Sequence, residues 1–304
     1  MRKPKKTSGG KGNGVRTWFV FTRPNTLRYY FQFVKALLSS LKMMGINTLL
    51  VLDGKELRSR ARGGDTVIVV GNVKQSGYKS IPPVVEAKGL RTILYETESI
   101  YGWELLTRYN AFRPMAIWTY SHYNKDWIEN HSNIPCFYLP PGYSPTYNYR
   151  LHPSYNSSTI TSEPITLLDV GRENRSLPLT LQNIDYKEVH AWDDLGFAVN
   201  ITNHKILLNT HKKRRVGLEM FRLGPLISSG MNILSEHSYW KDEATMKGIV
   251  TFSKPAEMNF ILSNWRKMSK IEMEKRSDDI IERFQHQLDF NDLLYFAIQN
   301  MKDL

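Results

Sequence analysis

Short apolar runs alternate with helix-like stretches along nearly the whole chain, and the pattern restarts once after a polar interruption. Such alternation builds parallel sheets, because a strand that returns parallel to its neighbour needs a helical crossover. The first series opens with Thr17-Trp18-Phe19-Val20-Phe21, a run suited to a fully buried strand. Arg23-Pro24-Asn25 breaks it. A helix is predicted over 26–44, with Phe31, Val34, Leu37, Leu38 and Leu41 on one face. Gly45 supplies its stop. Strands are predicted at 47–52, 66–70, 91–95, 115–119 and 136–139, with helices at 84–88, 103–109 and 125–130.

Residues 143–163 change character: Ser, Thr, Tyr, Asn and Pro dominate and periodicity is lost, as in a linker. The second series then begins with a strand at 165–168 that ends at Gly171. Further strands are predicted at 188–191, 205–208, 232–234 and 249–252. The best intervening helix is 217–229, carrying Leu218, Phe221, Leu226 and Ile227. A long helix follows over 271–301, with a break near 289–291. The expected layout is a disordered basic tail (1–14), a first domain (15–145), a linker (146–163), a second domain (164–270) and a helical segment (271–304). The expected fold class is α/β, with two domains of parallel sheet flanked by helices facing a cleft.

Hydrophobic residues make up 41% of the 304, enough for both halves to bury a core. No apolar run approaches the ~18 residues of a membrane span, and no apolar signal core follows the basic N-terminus. A lone cysteine, Cys136, excludes an internal disulfide and fits a reducing compartment, so a soluble cytoplasmic protein is expected. The formal net charge is +12, of which the acid-free tail supplies five, leaving +7 for the rest. That field suits an anionic ligand, nucleic acid or an acidic membrane surface without choosing among them.

Ligands of open parallel sheets bind beyond the carboxyl ends of the strands. In the second half those positions are polar and basic: Gly171-Arg172-Glu173-Asn174-Arg175, Trp192-Asp193-Asp194, Asn209-Thr210-His211-Lys212-Lys213-Arg214-Arg215 and Ser235-Glu236-His237-Ser238. The third of these places four consecutive cations before a helix expected to start near Gly217, with Glu219 in its first turn. Cations and a helix N-terminus suit a diphosphate, and an ionised Glu can accept both hydroxyls of a ribose. A solvated basic loop with Glu219 complementing the helix dipole is the bland alternative. Asp193-Asp194 is adjacent rather than spaced, and the histidines lack metal spacing, so no metal site is expected.

These motifs resemble those of a known family. Gly171 after a strand, Leu208-Asn209-Thr210-His211, Leu218-Glu219-Met220-Phe221-Arg222, Ser229-Gly230 and Leu234-Ser235-Glu236 are similar, in that order, to the donor half of GT-B-type glycosyltransferases, which have two Rossmann-like domains. In the first half, Leu94-Tyr95-Glu96-Thr97-Glu98, Trp118-Thr119-Tyr120-Ser121-His122-Tyr123-Asn124 and Tyr138-Leu139-Pro140-Pro141-Gly142-Tyr143 resemble a subgroup found in bacteria and large DNA viruses. The likeness covers roughly 90–255. It implies that Glu219 binds the donor ribose, that His211, Lys212 and Arg214 lie in the diphosphate loop with Gly171 and Arg172 facing them, and that Ser235 and Glu236 border the donor. Two family features are absent: the glycine-rich loop early in the first half, and the second acid of the usual paired-Glu donor motif.

The resemblance implies a hexosyl- or pentosyltransferase that takes a nucleotide-sugar donor and a hydroxyl acceptor on a glycan or glycoconjugate, with neither cofactor nor metal. A base, where the chemistry uses one, should project from the first half; Glu98, Glu96 and His122 each follow a predicted strand. The rival readings are a nucleic-acid-binding α/β protein using the tail and the 212–215 run, for which no recognition motif is present, and a glycosyltransferase-like nucleotide-binding module without catalysis.

Overall fold

The computed structural model describes residues 16–71, 78–100, 104–151, 161–167, 187–189, 204–210 and 217–301. The expectations for the tail, for Gly171 and Arg172, for Asp193-Asp194 and for His211, Lys212 and Arg214 lie outside these residues.

Two parallel sheets form. The first contains β1 (Trp18–Phe21), β2 (Thr48–Val51), β3 (Thr66–Val70), β4 (Arg91–Glu96), β5 (Ala116–Thr119) and β6 (Cys136–Tyr138), in the order β2-β1-β3-β4-β5-β6. The second contains β7 (Thr161–Leu167), β8 (Lys187–Val189), β9 (His204–Asn209), β10 (Asn232–Ser235) and β11 (Val250–Phe252), in the order β11-β10-β9-β7-β8. Every pairing is parallel. Parallel strands covered on both faces need apolar residues at consecutive positions. Accordingly Val67, Ile68, Val69 and Val70 are all fully buried.

The helices of the first half are α1 (Pro24–Met43), α2 (Gly54–Arg60), α3 (Ile81–Lys88), α4 (Glu104–Phe112) and α5 (His122–His131). Those that follow are α6 (Met220–Ser228), α7 (Trp240–Thr245), α8 (Pro255–Arg266), α9 (Lys270–Leu288) and α10 (Phe290–Asn300). On α1 the inward face is Phe33, Val34, Leu37 and Leu41, whereas Phe31 is only half-buried. The break expected near 289–291 falls at Asp289, whose carboxylate caps α10 by accepting from the N–H groups of Asn291 and Asp292. No helix among the described residues is long and apolar enough to cross a membrane.

The described ends of the polar interruption are packed. Tyr147 is fully buried and Tyr149 nearly so, within two short 3-10 turns, and β7 already begins at Thr161. Its tyrosines fill the seam between the halves: Tyr143 and Tyr149 join the second core and Tyr147 the first. The composition is that of a loop, but the tyrosine rings carry enough apolar area to be buried.

The chain crosses the seam again at Asp289. Tyr143 N–H donates to the Leu288 carbonyl at 2.7 Å, and Phe290 N–H donates to the Tyr143 carbonyl at 2.9 Å. Helix α10 then completes the first half's core, placing Phe290, Leu294, Ala297, Ile298 and Met301 with Phe33, Leu37, Tyr95 and Trp118.

Candidate functional site

The carboxyl ends of both sheets meet at the seam. In the second half β9 ends on Asn209, which is 1% exposed. Its Nδ2 donates to Glu219 Oε2 at 3.2 Å and to Ser235 Oγ at 3.0 Å, so one buried amide fixes both. Its Oδ1 is buried and accepts no hydrogen bond among the described residues. Glu236 N–H donates to the Asn209 carbonyl at 3.0 Å, and Ser235 Oγ donates to the Glu236 carbonyl. Glu219, Ser235 and Glu236 therefore stand together around Asn209.

One local expectation is corrected. Glu219 is the N-cap of α6, not a first-turn residue, and its side chain does not cap the helix. The preceding Gly217 and Leu218 are non-helical because they are held from outside. Leu218 N–H donates to Asp242 Oδ2 at 3.2 Å. A Cβ on Gly217 would lie 2.2 Å from Ser121 Oγ, so only glycine permits this approach of the halves.

In the first half Glu98 is exposed and accepts from Tyr30 Oη at 2.8 Å. Its backbone is braced from beneath. Glu98 N–H donates to Glu96 Oε1, and Asn124 Nδ2 donates to the Glu98 carbonyl, while Asn124 Oδ1 accepts from Ile100 N–H. Glu96 was a candidate base, but it is 2% exposed and its second oxygen accepts from Tyr109 Oη at 2.7 Å. It holds the Glu98 turn from inside the fold, out of reach of an acceptor hydroxyl. Asn124, fully buried, is the brace that the sequence reading noticed only as part of a motif.

His122 is likewise placed in the seam rather than on an open face. Its ring stacks on Tyr138 with centroids 3.7 Å apart, and Nε2 lies 3.1 Å from Thr245 Oγ1. Burial lowers its pKa to about 4, so the ring is neutral near pH 7 and a poor proton acceptor. His122 N–H donates to Asp242 Oδ1 at 2.7 Å. Asp242 thus clasps the N-terminus of α5 with one oxygen and the approach to α6 with the other. Burial raises its pKa to about 7, against the pull of those two N–H groups.

These two shifts give opposed pH dependences. Asp242 has a folded pKa above its unfolded value, so its contribution to stability is present near pH 4 and is lost as pH rises to about 7. His122 has a folded pKa below its unfolded value, so its contribution is present above about pH 6.5 and is lost as pH falls toward 4. Asp242→Asn removes the first and leaves the second. The expected outcome is a stability that falls with acidification more steeply than in wild type, by up to about 1.4 kcal/mol per pH unit inside the window, seen as a steeper fall in melting temperature. Parallel melting profiles for the two proteins would refute this.

An aromatic wall joins the two carboxylates. Phe221, in the first turn of α6, lies among first-half rings, with centroid distances of 4.8 Å to Tyr30, 5.2 Å to Phe33, 5.3 Å to Tyr120 and 5.8 Å to Tyr95. Tyr120 Oη lies 2.9 Å from Ser99 Oγ. Burial raises the Tyr120 pKa well above its usual range, and the charges of Glu219, Glu98 and Asp242 add to the rise. Glu98 from one half and Glu219 from the other thus both act electrostatically on the same buried phenol.

No protein-family model matches the chain, and no curated protein matches it. Solved structures do. An OtsA apo structure aligns over 95% of this chain and 99% of its own with TM-score 0.63 and 9% identity. An α-glucosyltransferase in complex with UDP and a mismatched 13-mer DNA aligns over 95% and 100% with TM-score 0.64 and 8% identity. HepE from Anabaena in complex with UDP-glucose aligns over 95% and 100% with TM-score 0.59 and 8% identity. The chain shares the GT-B fold of these proteins, two Rossmann-like domains with parallel sheets flanked by helices.

Proposed function

We propose that this chain is a glycosyltransferase that binds a nucleotide-sugar on its second half and transfers the sugar to a hydroxyl acceptor positioned by its first. The observation that carries the reading is the packing of Phe221, two residues after Glu219, against the ring of Tyr30, whose hydroxyl donates to Glu98. Two of the neighbours sharing its fold hold UDP or UDP-glucose. In this reading Glu219 accepts the ribose hydroxyls, held in place by Asn209, while Ser235 and Glu236 border the sugar diphosphate. Gly171, Arg172, His211, Lys212 and Arg214 meet the diphosphate and stabilise it as it leaves, without a metal. Glu98 takes the proton of the acceptor hydroxyl as that oxygen bonds to the anomeric carbon and the bond to phosphate breaks with its electron pair. A transfer that retains configuration needs no such base, and Glu98 then orients the acceptor.

Calorimetric titration with a panel of nucleoside diphosphates and nucleotide-sugars tests the reading, beside single-stranded oligonucleotide and in the presence and absence of EDTA. Saturable binding of one nucleoside diphosphate, unchanged by EDTA, is expected. Oligonucleotide binding with no response to any nucleotide would replace the reading with nucleic-acid binding. Donor binding without turnover of a labelled donor would leave a binding module.

A further inference from the structure

The net positive charge of this chain comes from its N-terminal half. Residues 16–145 hold sixteen Lys and Arg against nine Asp and Glu, a net of +7, whereas residues 146–304 hold twenty of each and are neutral. Outside the basic N-terminal residues, the net excess therefore belongs to the half assigned to the acceptor.

Within that half α1 concentrates the asymmetry. Over its 20 residues it carries Arg28, Lys35 and Lys42 and no acid. These three are exposed and spaced seven apart, so they share one outward stripe. None forms an ion pair among the described residues; the Arg28 guanidinium lies over the Tyr29 ring, 5.3 Å from its centroid. Apolar groups interleave with the cations. Phe31 and Leu38 are half-buried in the same stripe, and Tyr29 and Met43 are 38% and 68% exposed beside it. Helix α10, which packs on α1, adds Tyr295 and Phe296 at 50% and 62% exposure. A purely solvated face would carry acids among its bases and few large apolar groups. Bases with interleaved aromatics and a methionine instead match the headgroup level of an anionic bilayer, where cations meet lipid phosphates and ring edges enter the interface.

The same helix reaches the candidate site. Tyr30 donates to Glu98, and Phe33 touches Phe221. We propose that the outward face of α1, with the exposed residues of α10, docks the first half on an anionic phospholipid surface, bringing the Glu98 side of the cleft to that surface. The proposal names the surface that presents the acceptor and to that extent rests on the transfer reading, but docking itself needs no donor.

Sedimentation of the full chain with vesicles tests it, comparing phosphatidylcholine alone with phosphatidylcholine containing about a third phosphatidylglycerol. Binding is expected only to the anionic vesicles and should weaken with salt. Replacing Lys35 and Lys42 by Gln should lower the partition coefficient about fivefold each, about thirtyfold together, and Met43→Ser should lower it further. All these positions are exposed, so thermal melts and nucleoside diphosphate titration should be unchanged, which separates loss of docking from loss of the donor site. Absence of anionic-vesicle binding, or binding indifferent to the Gln variants, would overturn the proposal and leave any residual attraction to the basic N-terminal residues. Preferential binding of duplex oligonucleotide that is lost in the same variants would overturn it in favour of a nucleic-acid face.

Discussion

Glu219→Ala is expected to weaken the binding of nucleoside diphosphate by about ten- to a hundredfold, because a charge-assisted hydrogen bond is worth roughly 1.5–3 kcal/mol. The fold should persist. Glu219 caps no N–H with its side chain, and an acid at a helix N-terminus favours the helix by only ~0.3–1 kcal/mol. Asn209, which donates to Glu219, is also tied to Ser235, so the amide keeps a neighbour when the carboxylate is removed. Titration calorimetry on wild type and variant decides the matter. A folded variant that binds the nucleotide as tightly as wild type would remove Glu219 from the site and leave the basic loop as a general anion binder.

A single methyl group at Gly224 should destabilise the seam. Replacing a helix-interior glycine by alanine normally gains up to about 1 kcal/mol of helix propensity. Here the added Cβ would lie 2.2 Å from the Pro141 carbonyl oxygen, a backbone atom that no rotamer change can move. Forcing extra volume into a filled contact costs typically ~1–3 kcal/mol, so the net sign is destabilising. Gly224→Ala should lower the melting temperature by several degrees. It should also weaken donor binding, since α6 carries Glu219 at its cap and Phe221 in its first turn. A variant that melts at or above wild type would show that the seam can yield there.

Much of this was legible before any coordinates. The strand at 66–70 was read with its observed limits, and the break near 289–291 was read from Asp289 and Asn291. Local pattern sufficed because these elements bury their own apolar runs. Three helices escaped. Gly54–Arg60 and Trp240–Thr245 are short and rich in charge, and Pro255–Arg266 carries a scattered apolar face of Met258, Leu262 and Trp265. Placement was legible where a residue lies at or just beyond a strand end, as Glu98, Ser235 and Glu236 do. It was not legible where a residue acts through a distant partner. Asp242 reads as one acid in a charged run, yet its partner His122 lies 120 residues earlier. Glu96 and His122 have the chemistry of bases, and only the bonds of Glu96 to Tyr109 and the stacking of His122 on Tyr138 remove them from that role. The start of α6 was placed about three residues early, at Gly217, which instead packs against Ser121.

The return of α10 to the first half also orders events during synthesis. Phe33, Leu37, Tyr95 and Trp118 form part of a core whose remaining wall is Phe290, Leu294, Ala297 and Ile298. A ribosome makes that wall only after the entire second half has emerged. The first half to be translated is therefore the last to be finished, and its apolar flank waits uncovered through the making of some 150 residues. Chaperone occupancy of the nascent chain should follow that interval and end when the last turns of α10 are released.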